Sequence, residues 1–263
     1  MDANNAPNRV AVVTGGGGDI GRAIAAEVIK TRDHVVLVDI DKASVERAAQ
    51  ALGAHRATAI ICDITDDVAV HRMAQEALAL GAVNLLVNNA GGTWASSLQE
   101  TTPEVWKRET ALNLDASFLC FKAFEQSLKN THGTVINIAS VNGLSVYGNP
   151  AYSAAKAGLI HFTKSIAVEY GRFGMRANAI APGTVRTQAW EERLAANPKV
   201  FEEAMQWYPK GHVIEPGAVA GAVAFLSSPE AASITGVCLP VDAGLTAGQA
   251  RLASTFSQSQ FYR

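Results

Sequence analysis

Short apolar, β-branched runs alternate along the chain with stretches of helical length and period. The runs are Val10–Thr14, His34–Asp39, Ala57–Asp63, Asn84–Asn88, Thr134–Ala139, Met175–Ala181 and Val237–Val241. Each is apolar almost throughout, the pattern of a strand covered on both faces. Helical stretches lie between them at Asp19–Thr31, Asp41–Leu52, Asp66–Leu80, Pro150–Tyr170 and Pro216–Ser227. Thr102-Pro103-Glu104 gives an N-cap followed by proline at the first helical position, and predicts one long helix to about Asn130. Such alternation builds right-handed βαβ units. The expected fold is α/β, a Rossmann-like, doubly wound, parallel seven-stranded sheet with helices on both faces.

The length of 263 residues suits one large domain, and neither a linker nor an internal repeat divides it. The expected division is a flexible head over residues 1–8, one domain over 9–247 and a polar tail over 248–263. The net charge of −2 argues against a nucleic-acid partner held by a basic face. The three cysteines are scattered and none of the six histidines forms a ligand motif, so neither a disulfide framework nor a metal site is expected. No apolar run reaches the ~18 residues of a membrane span, and Met1 to Asn8 lack the apolar centre of a signal peptide. A soluble, cytoplasmic protein that does not engage membranes is expected.

The first strand runs into Thr14-Gly15-Gly16-Gly17-Gly18-Asp19-Ile20-Gly21. Glycines there permit a tight turn and a close backbone approach to a pyrophosphate, and the next helix offers free N–H groups and a positive dipole end. The second strand ends at Asp39, whose carboxylate can accept from both hydroxyls of an adenosine ribose and repels a 2′-phosphate. Ile40 follows it and the glycine turn carries no arginine, so NAD is favoured over NADP.

Tyr152 and Lys156 sit at i, i+4 near the start of a helix and share a face. A tyrosine near its reference pKa of ~10 is a poor base at neutral pH. An ammonium ~5 Å away at an effective dielectric of ~20 favours the phenolate by about 3 kcal/mol, roughly 2 pKa units. That would ready the phenol for proton transfer. Alone, this spacing more often marks a solvated helix face.

With its neighbours, the pair resembles the short-chain dehydrogenase/reductase family over about residues 9–244. Thr14, Gly15 and Gly21 match the family's glycine motif, Asp39 its acidic strand end and Asp63 its adenine-contacting aspartate. Asn88-Asn89-Ala90-Gly91, Trp106 with Asn113, Ser140 after the fifth strand, Pro182-Gly183 and Thr187 follow in order. The family's middle glycine is Asp19 here. Its carboxylate would compete with a pyrophosphate, so it is expected to turn away and cap the helix, leaving Gly17, Gly18 and Ile20 to make the loop contacts.

The resemblance implies that Tyr152 is the general acid/base, that Lys156 lowers its pKa and holds the nicotinamide ribose, and that Ser140 stabilises charge on the substrate oxygen. It implies that Asn113 holds a water linking Lys156 to solvent. The implied cofactor contacts are Gly15, Gly17, Gly18, Asp19, Ile20, Asp39, Ile40, Asp63, Ile64, Asn89, Ala90, Gly91, Tyr152, Lys156, Pro182, Gly183, Val185 and Thr187. By family position, Ser140, Asn142, Tyr147, Trp94, Thr184 and Trp190, together with Thr93, line the substrate pocket. The insertion at about 184–208 is expected to act as a lid, its Trp190, Phe201 and Trp207 facing either ligand or core.

The implied activity is hydride transfer between NAD(H) and a secondary alcohol or ketone, with polyols, sugars and hydroxy acids as substrates. A 3-oxoacyl-thioester reductase and a non-catalytic cofactor-sensing regulator are the alternatives. A homodimer or homotetramer is implied, packed through the two long helices and the last strand. The tail is expected to be disordered, or to cover a neighbour's cleft with Phe256 and Phe261-Tyr262.

Overall fold

The structure is a computed structural model that describes residues 8–262, so all but the last residue of the expected flexible head lies outside the described residues. Its strands are β1 (Arg9–Thr14), β2 (His34–Asp39), β3 (Ala57–Ile61), β4 (Ala82–Asn88), β5 (Thr134–Ile138), β6 (Arg176–Pro182) and β7 (Cys238–Val241). Its helices are α1 (Asp19–Val28), α2 (Lys42–Leu52), α3 (Asp67–Leu78), α4 (Pro103–Thr110), α5 (Ala116–Asn130), α6 (Pro150–Tyr170), α7 (Glu191–Ala196), α8 (Val200–Met205), α9 (Pro216–Leu226) and α10 (Ala250–Ser257).

The strands pair in parallel in the order β3-β2-β1-β4-β5-β6-β7. Successive strand side chains point to opposite faces, so a strand apolar at every position needs two covers. Val10, Val12, Val36 and Val38 pack with Met73 of α3, Phe124 and Leu128 of α5, and Ile166 of α6. Ala11, Val13, Val35 and Leu37 pack on the other side with Ile24 of α1, Val45 of α2 and Val223 of α9. Phe124 is wholly buried, and its truncation to alanine costs roughly 3–5 kcal/mol in such a core.

The helix starts follow local chemistry. Asp41 accepts from Ser44 N–H at 3.1 Å and Asp66 from Val68 N–H at 2.9 Å, capping α2 and α3. Thr102 caps α4 ahead of Pro103. The long helix expected from Pro103 to Asn130 is interrupted by a π-helical turn at Ala111–Asp115, where Ala116 N–H reaches back five residues to Ala111 O. Turns of this kind often accompany functional sites, and Asn113 lies within this one.

The order reverses direction at β1, with β2 on one side and β4 on the other. A crevice opens at the carboxyl ends of the strands at such a switch point. Thr14, Asp39, Asn88 and Ile138 end their strands there. The insertion after β6 carries α7 and α8 around a small core of Phe201, Tyr208 and Val213. The tail is not without structure, because α10 occupies Ala250–Ser257.

Candidate active site

The glycine turn is shaped by contacts that admit no side chain. Gly15 has φ +63°, and a Cβ there would lie 2.9 Å from Ala90 Cα. A Cβ on Gly21 would lie 2.1 Å from Gly15 O, so α1 and the turn meet backbone to backbone. Gly18 is exposed and caps α1 without any side-chain hydrogen bond, which leaves N–H groups at that terminus available to an anion.

Two sequence expectations fail here. Asp19 does not cap α1. One of its oxygens pairs with Arg22, and the other accepts from Gln188 N–H at 2.7 Å in the segment after β6. Arg22 offsets part of the charge that Asp19 brings to the cleft. Gly17 does not face the cleft either. It is buried, its N–H donates to Asp39 Oδ2 at 2.9 Å, and its Cα packs beside Ser44.

The remaining candidates at this end line one cleft of about 620 Å³: Gly15, Gly18, Asp19 and Ile20 on one wall, Asp39, Ile40, Asp63 and Ile64 on another, and Asn89, Ala90, Gly91 and Thr187 beyond. Asn89 also has a structural duty, donating to Thr14 O at 2.9 Å and tying β4 to β1. Thr65 N–H and hydroxyl donate to Asp63 at 2.9 and 2.7 Å.

A second cavity of about 790 Å³ opens beside the first and shares Ile20, Asn89, Gly91 and Thr187 with it. Tyr152, Lys156 and Ser140 meet in it, as do Pro182, Gly183 and Val185. The substrate candidates Asn142, Tyr147, Trp94, Thr184 and Trp190 line it too. Of the three lid aromatics, Trp207 and Trp190 reach the cavity, whereas Phe201 is buried against Trp190 in the lid's own core.

Lys156 is buried, donates from Nζ to Ile138 O at 2.7 Å, and lies 5.5 Å from the centre of the Tyr152 ring. Burial pulls its pKa down to about 8. Burial also pushes the Tyr152 phenol above its ordinary value of 10. A hydrogen bond with Ser140 works against that rise, and the charge of Glu109 adds to it. In the chain itself, desolvation therefore outweighs the lowering expected from the ammonium.

Asn113 is fully buried, and its amide is spent on backbone. Nδ2 donates to Gly92 O and Glu109 O, both at 2.8 Å, and Oδ1 accepts from Gly92 N–H at 3.2 Å. No amide proton is left for a water. A Cβ on Gly91 would lie 2.7 Å from Asn113 Oδ1 and 3.3 Å from Lys156 Nζ, so this glycine keeps the two groups close.

The family model described as Enoyl-(Acyl carrier protein) reductase matches residues 17–246. A crystal structure of an oxidoreductase of the short-chain dehydrogenase/reductase family from Burkholderia thailandensis superposes with a TM-score of 0.91 and is 40% identical, covering 98% of this chain and 100% of that one. The chain belongs to the short-chain dehydrogenase/reductase family. This short-chain oxidoreductase is also similar to galactitol 2-dehydrogenase (L-tagatose-forming) of Cereibacter sphaeroides, at 35% identity over 90% of this chain and 94% of the relative. Meso-2,3-butanediol dehydrogenase of Serratia marcescens is 36% identical over 91% and 95%.

The short-chain oxidoreductase fits a dinucleotide on its own geometry: a side-chain-free turn, an uncapped helix terminus, and a carboxylate at the end of β2. Sequence reasoning overlooked several groups at the site. Glu109 is buried on α4, and Asn149 donates to Thr93 Oγ at 3.0 Å and Ala95 O at 2.9 Å. Arg193 of α7 lines the second cavity. Glu109 lies four positions before Asn113, a spacing that puts both on one helix face and was legible in the sequence.

Proposed function

We propose that this short-chain oxidoreductase is an NAD-dependent alcohol dehydrogenase or ketone reductase acting on secondary alcohols. The observation that carries the reading is the meeting of Tyr152, Lys156 and Ser140 in a cavity continuous with the cleft that holds Asp39. Bound nicotinamide would supply or accept the hydride. The Ser140 hydroxyl would donate to the substrate oxygen, and the Tyr152 phenol would give or take the proton at that oxygen. Lys156 has three N–H donors, of which Ile138 O takes one, leaving two for the cofactor ribose. Asp39 would accept from the adenosine ribose hydroxyls.

The proposed substrates are polyols, sugars and hydroxy acids, and Arg193 is the group through which the cavity would distinguish a hydroxy acid. The charged residues among its described lining are Lys156 and Arg193, and no carboxylate joins them. A 3-oxoacyl-thioester reductase is disfavoured, since such enzymes usually draw on NADPH and Asp39 repels its 2′-phosphate. Residues 184–208 would close over the substrate. Trp106, Phe118 and Val168 stand exposed on α4, α5 and α6, which supports a homo-oligomer, dimer or tetramer. No described helix is long and apolar enough to cross a membrane, and a cytoplasmic setting is proposed from the unpaired thiols Cys62, Cys120 and Cys238.

The test is a panel of polyols, sugars, hydroxy acids and hydroxysteroids with NAD and with NADP, followed by absorbance. Tyr152→Phe is expected to lower turnover by about 10²–10⁴-fold. Full activity in that variant would overturn the mechanism. A roughly hundredfold preference for NADP, worth about 2.7 kcal/mol, would overturn the cofactor assignment.

A further inference from the structure

Glu109 is wholly buried, which a carboxylate tolerates only with strong partners. One of its oxygens, Oε1, accepts from the Thr93 hydroxyl at 3.1 Å, from Trp94 N–H, and from Ala95 N–H at 3.1 Å. The other, Oε2, has no hydrogen-bond partner among the described residues. Its backbone carbonyl accepts from Asn113, which also holds Gly92 by both its N–H and its C=O. Every residue from Gly92 to Ala95 is thus held by Glu109 itself or by Asn113, which its carbonyl anchors.

The same segment is tied to the catalytic helix. Asn149 adopts the left-handed conformation at φ +52°, just ahead of Pro150 and α6, and its amide donates to Thr93 Oγ and Ala95 O. Gly92, Thr93 and Trp94 line the same cavity as Ser140 and Tyr152. One buried carboxylate therefore connects the π-helical turn, the substrate-side wall and the start of the helix that bears Tyr152 and Lys156.

We propose that Glu109 is a positioning residue for this site, one that clamps the Gly92–Ala95 wall of the cavity that holds Tyr152. The inference rests on the reading of Tyr152 as the acid/base. The polar and charged groups that act on the phenol are Lys156 on the same helix, 5.5 Å from the ring, Ser140 just after β5 and Glu109 on α4, while Arg193 of α7 lines the same cavity. Among them Glu109 is the one anion, and it opposes formation of the phenolate. It keeps the proton on Tyr152 to higher pH. That suits proton delivery to a carbonyl oxygen, and it moves alcohol oxidation, which needs the phenolate, toward alkaline pH.

The experiment compares Glu109→Gln and Glu109→Leu with the wild type. Gln keeps an acceptor oxygen for the three donors and removes the charge, whereas Leu removes both. The Tyr152 phenolate is titrated by ultraviolet difference absorbance, each protein against its own Tyr152→Phe counterpart, so the readout needs no turnover. In Glu109→Gln the titration is expected to move down by about half a pH unit or more, and the acidic limb of alcohol oxidation to move with it. Glu109→Leu is expected to raise KM tenfold or more for whichever alcohol the panel identifies. A shifted titration supports the proposal even if no alcohol in the panel is turned over. An unmoved titration in Glu109→Gln overturns the electrostatic role, and that variant decides alone should Glu109→Leu fail to fold. Unchanged KM in a folded Glu109→Leu overturns the clamp.

Discussion

Asp39 Oδ2 accepts the Gly17 N–H at 2.9 Å, so the end of β2 and the glycine turn are set by one carboxylate. Its other oxygen accepts from Asp41 N–H at 3.1 Å. Each carboxylate oxygen can take more than one donor, which leaves room for ribose hydroxyls. Asp39→Ala should therefore weaken NAD use and also loosen the turn. Hydrogen bonds to a charged group contribute about 1.5–3 kcal/mol. The expected loss in kcat/KM with NAD is about 10- to 100-fold, with a smaller loss or a gain for NADP. Equal losses with both cofactors would mean that Asp39 shapes the turn and does not read the ribose.

Lys156 makes a pH-dependent contribution to stability. Its pKa falls from 10.5 in the unfolded chain to about 8 in the folded one. Below pH 8 both states carry the charge, and the folded state bears the full cost of burying it. Between about 8 and 10.5 the unfolded chain binds the extra proton, so that cost is relieved as pH rises. The relief approaches roughly 3 kcal/mol at 1.36 kcal/mol per pKa unit. Tyr152 and the buried thiols Cys62 and Cys120 act in the opposite sense at alkaline pH, their values being raised by burial. The difference between wild type and Lys156→Met isolates the lysine. Urea unfolding on either side of pH 8 should show the wild type gaining on the variant as pH rises; a constant difference would count against the depressed value.

Much of this fold was legible in the sequence because its strands are apolar on both faces. β2 and α6 have the bounds the pattern predicts, proline marks where α4 and α9 begin, and Thr102 caps the first of these. The π-helical turn at Asn113 was not legible, because it depends on a tertiary partner, Gly92, across the site. Asp19 was misread for a similar reason. Its local rule, to cap the helix that follows, loses to Arg22 and to Gln188, which only the folded chain brings near. The spacing of Glu109 to Asn113 was legible, but its burial was not, because that depends on the Gly92–Ala95 segment wrapped around it.

The Asp19–Gln188 contact also makes a mechanical prediction. It joins the glycine turn to the segment that leads into the proposed lid. Asp19→Ala removes that tie and leaves Arg22 only its hydrogen bond to Gly17 O, while Asp19→Asn keeps an acceptor oxygen for Gln188 N–H. Arg186 and Arg193 then serve as reporters in limited trypsin digestion. Asp19→Ala should be cut at these sites several-fold faster than wild type, and Asp19→Asn at an intermediate rate. Identical cleavage in all three would show that the lid is held by its own core of Phe201, Tyr208 and Val213 alone.

The exposed apolar residues on α5 and α6 predict how copies associate. Phe118 is 47% exposed yet stacks edge-on with Phe162 at 6.0 Å, and Phe162 packs in turn on Phe121 at 5.9 Å. This aromatic seam binds α5 to α6 and ends at solvent. Val168, further along α6, is 82% exposed. A second copy placed on this face would bury both residues through a two-fold contact. Phe118→Arg and Val168→Arg should each lower the oligomer by one step in sedimentation velocity while leaving the far-ultraviolet circular dichroism unchanged. Phe225 and Val237 are exposed on α9 and just before β7. If the wild type is a tetramer, Phe225→Arg should stop at a dimer through the other interface, and the two classes of variant combined should yield a monomer. A wild-type monomer would sink the assignment of both faces.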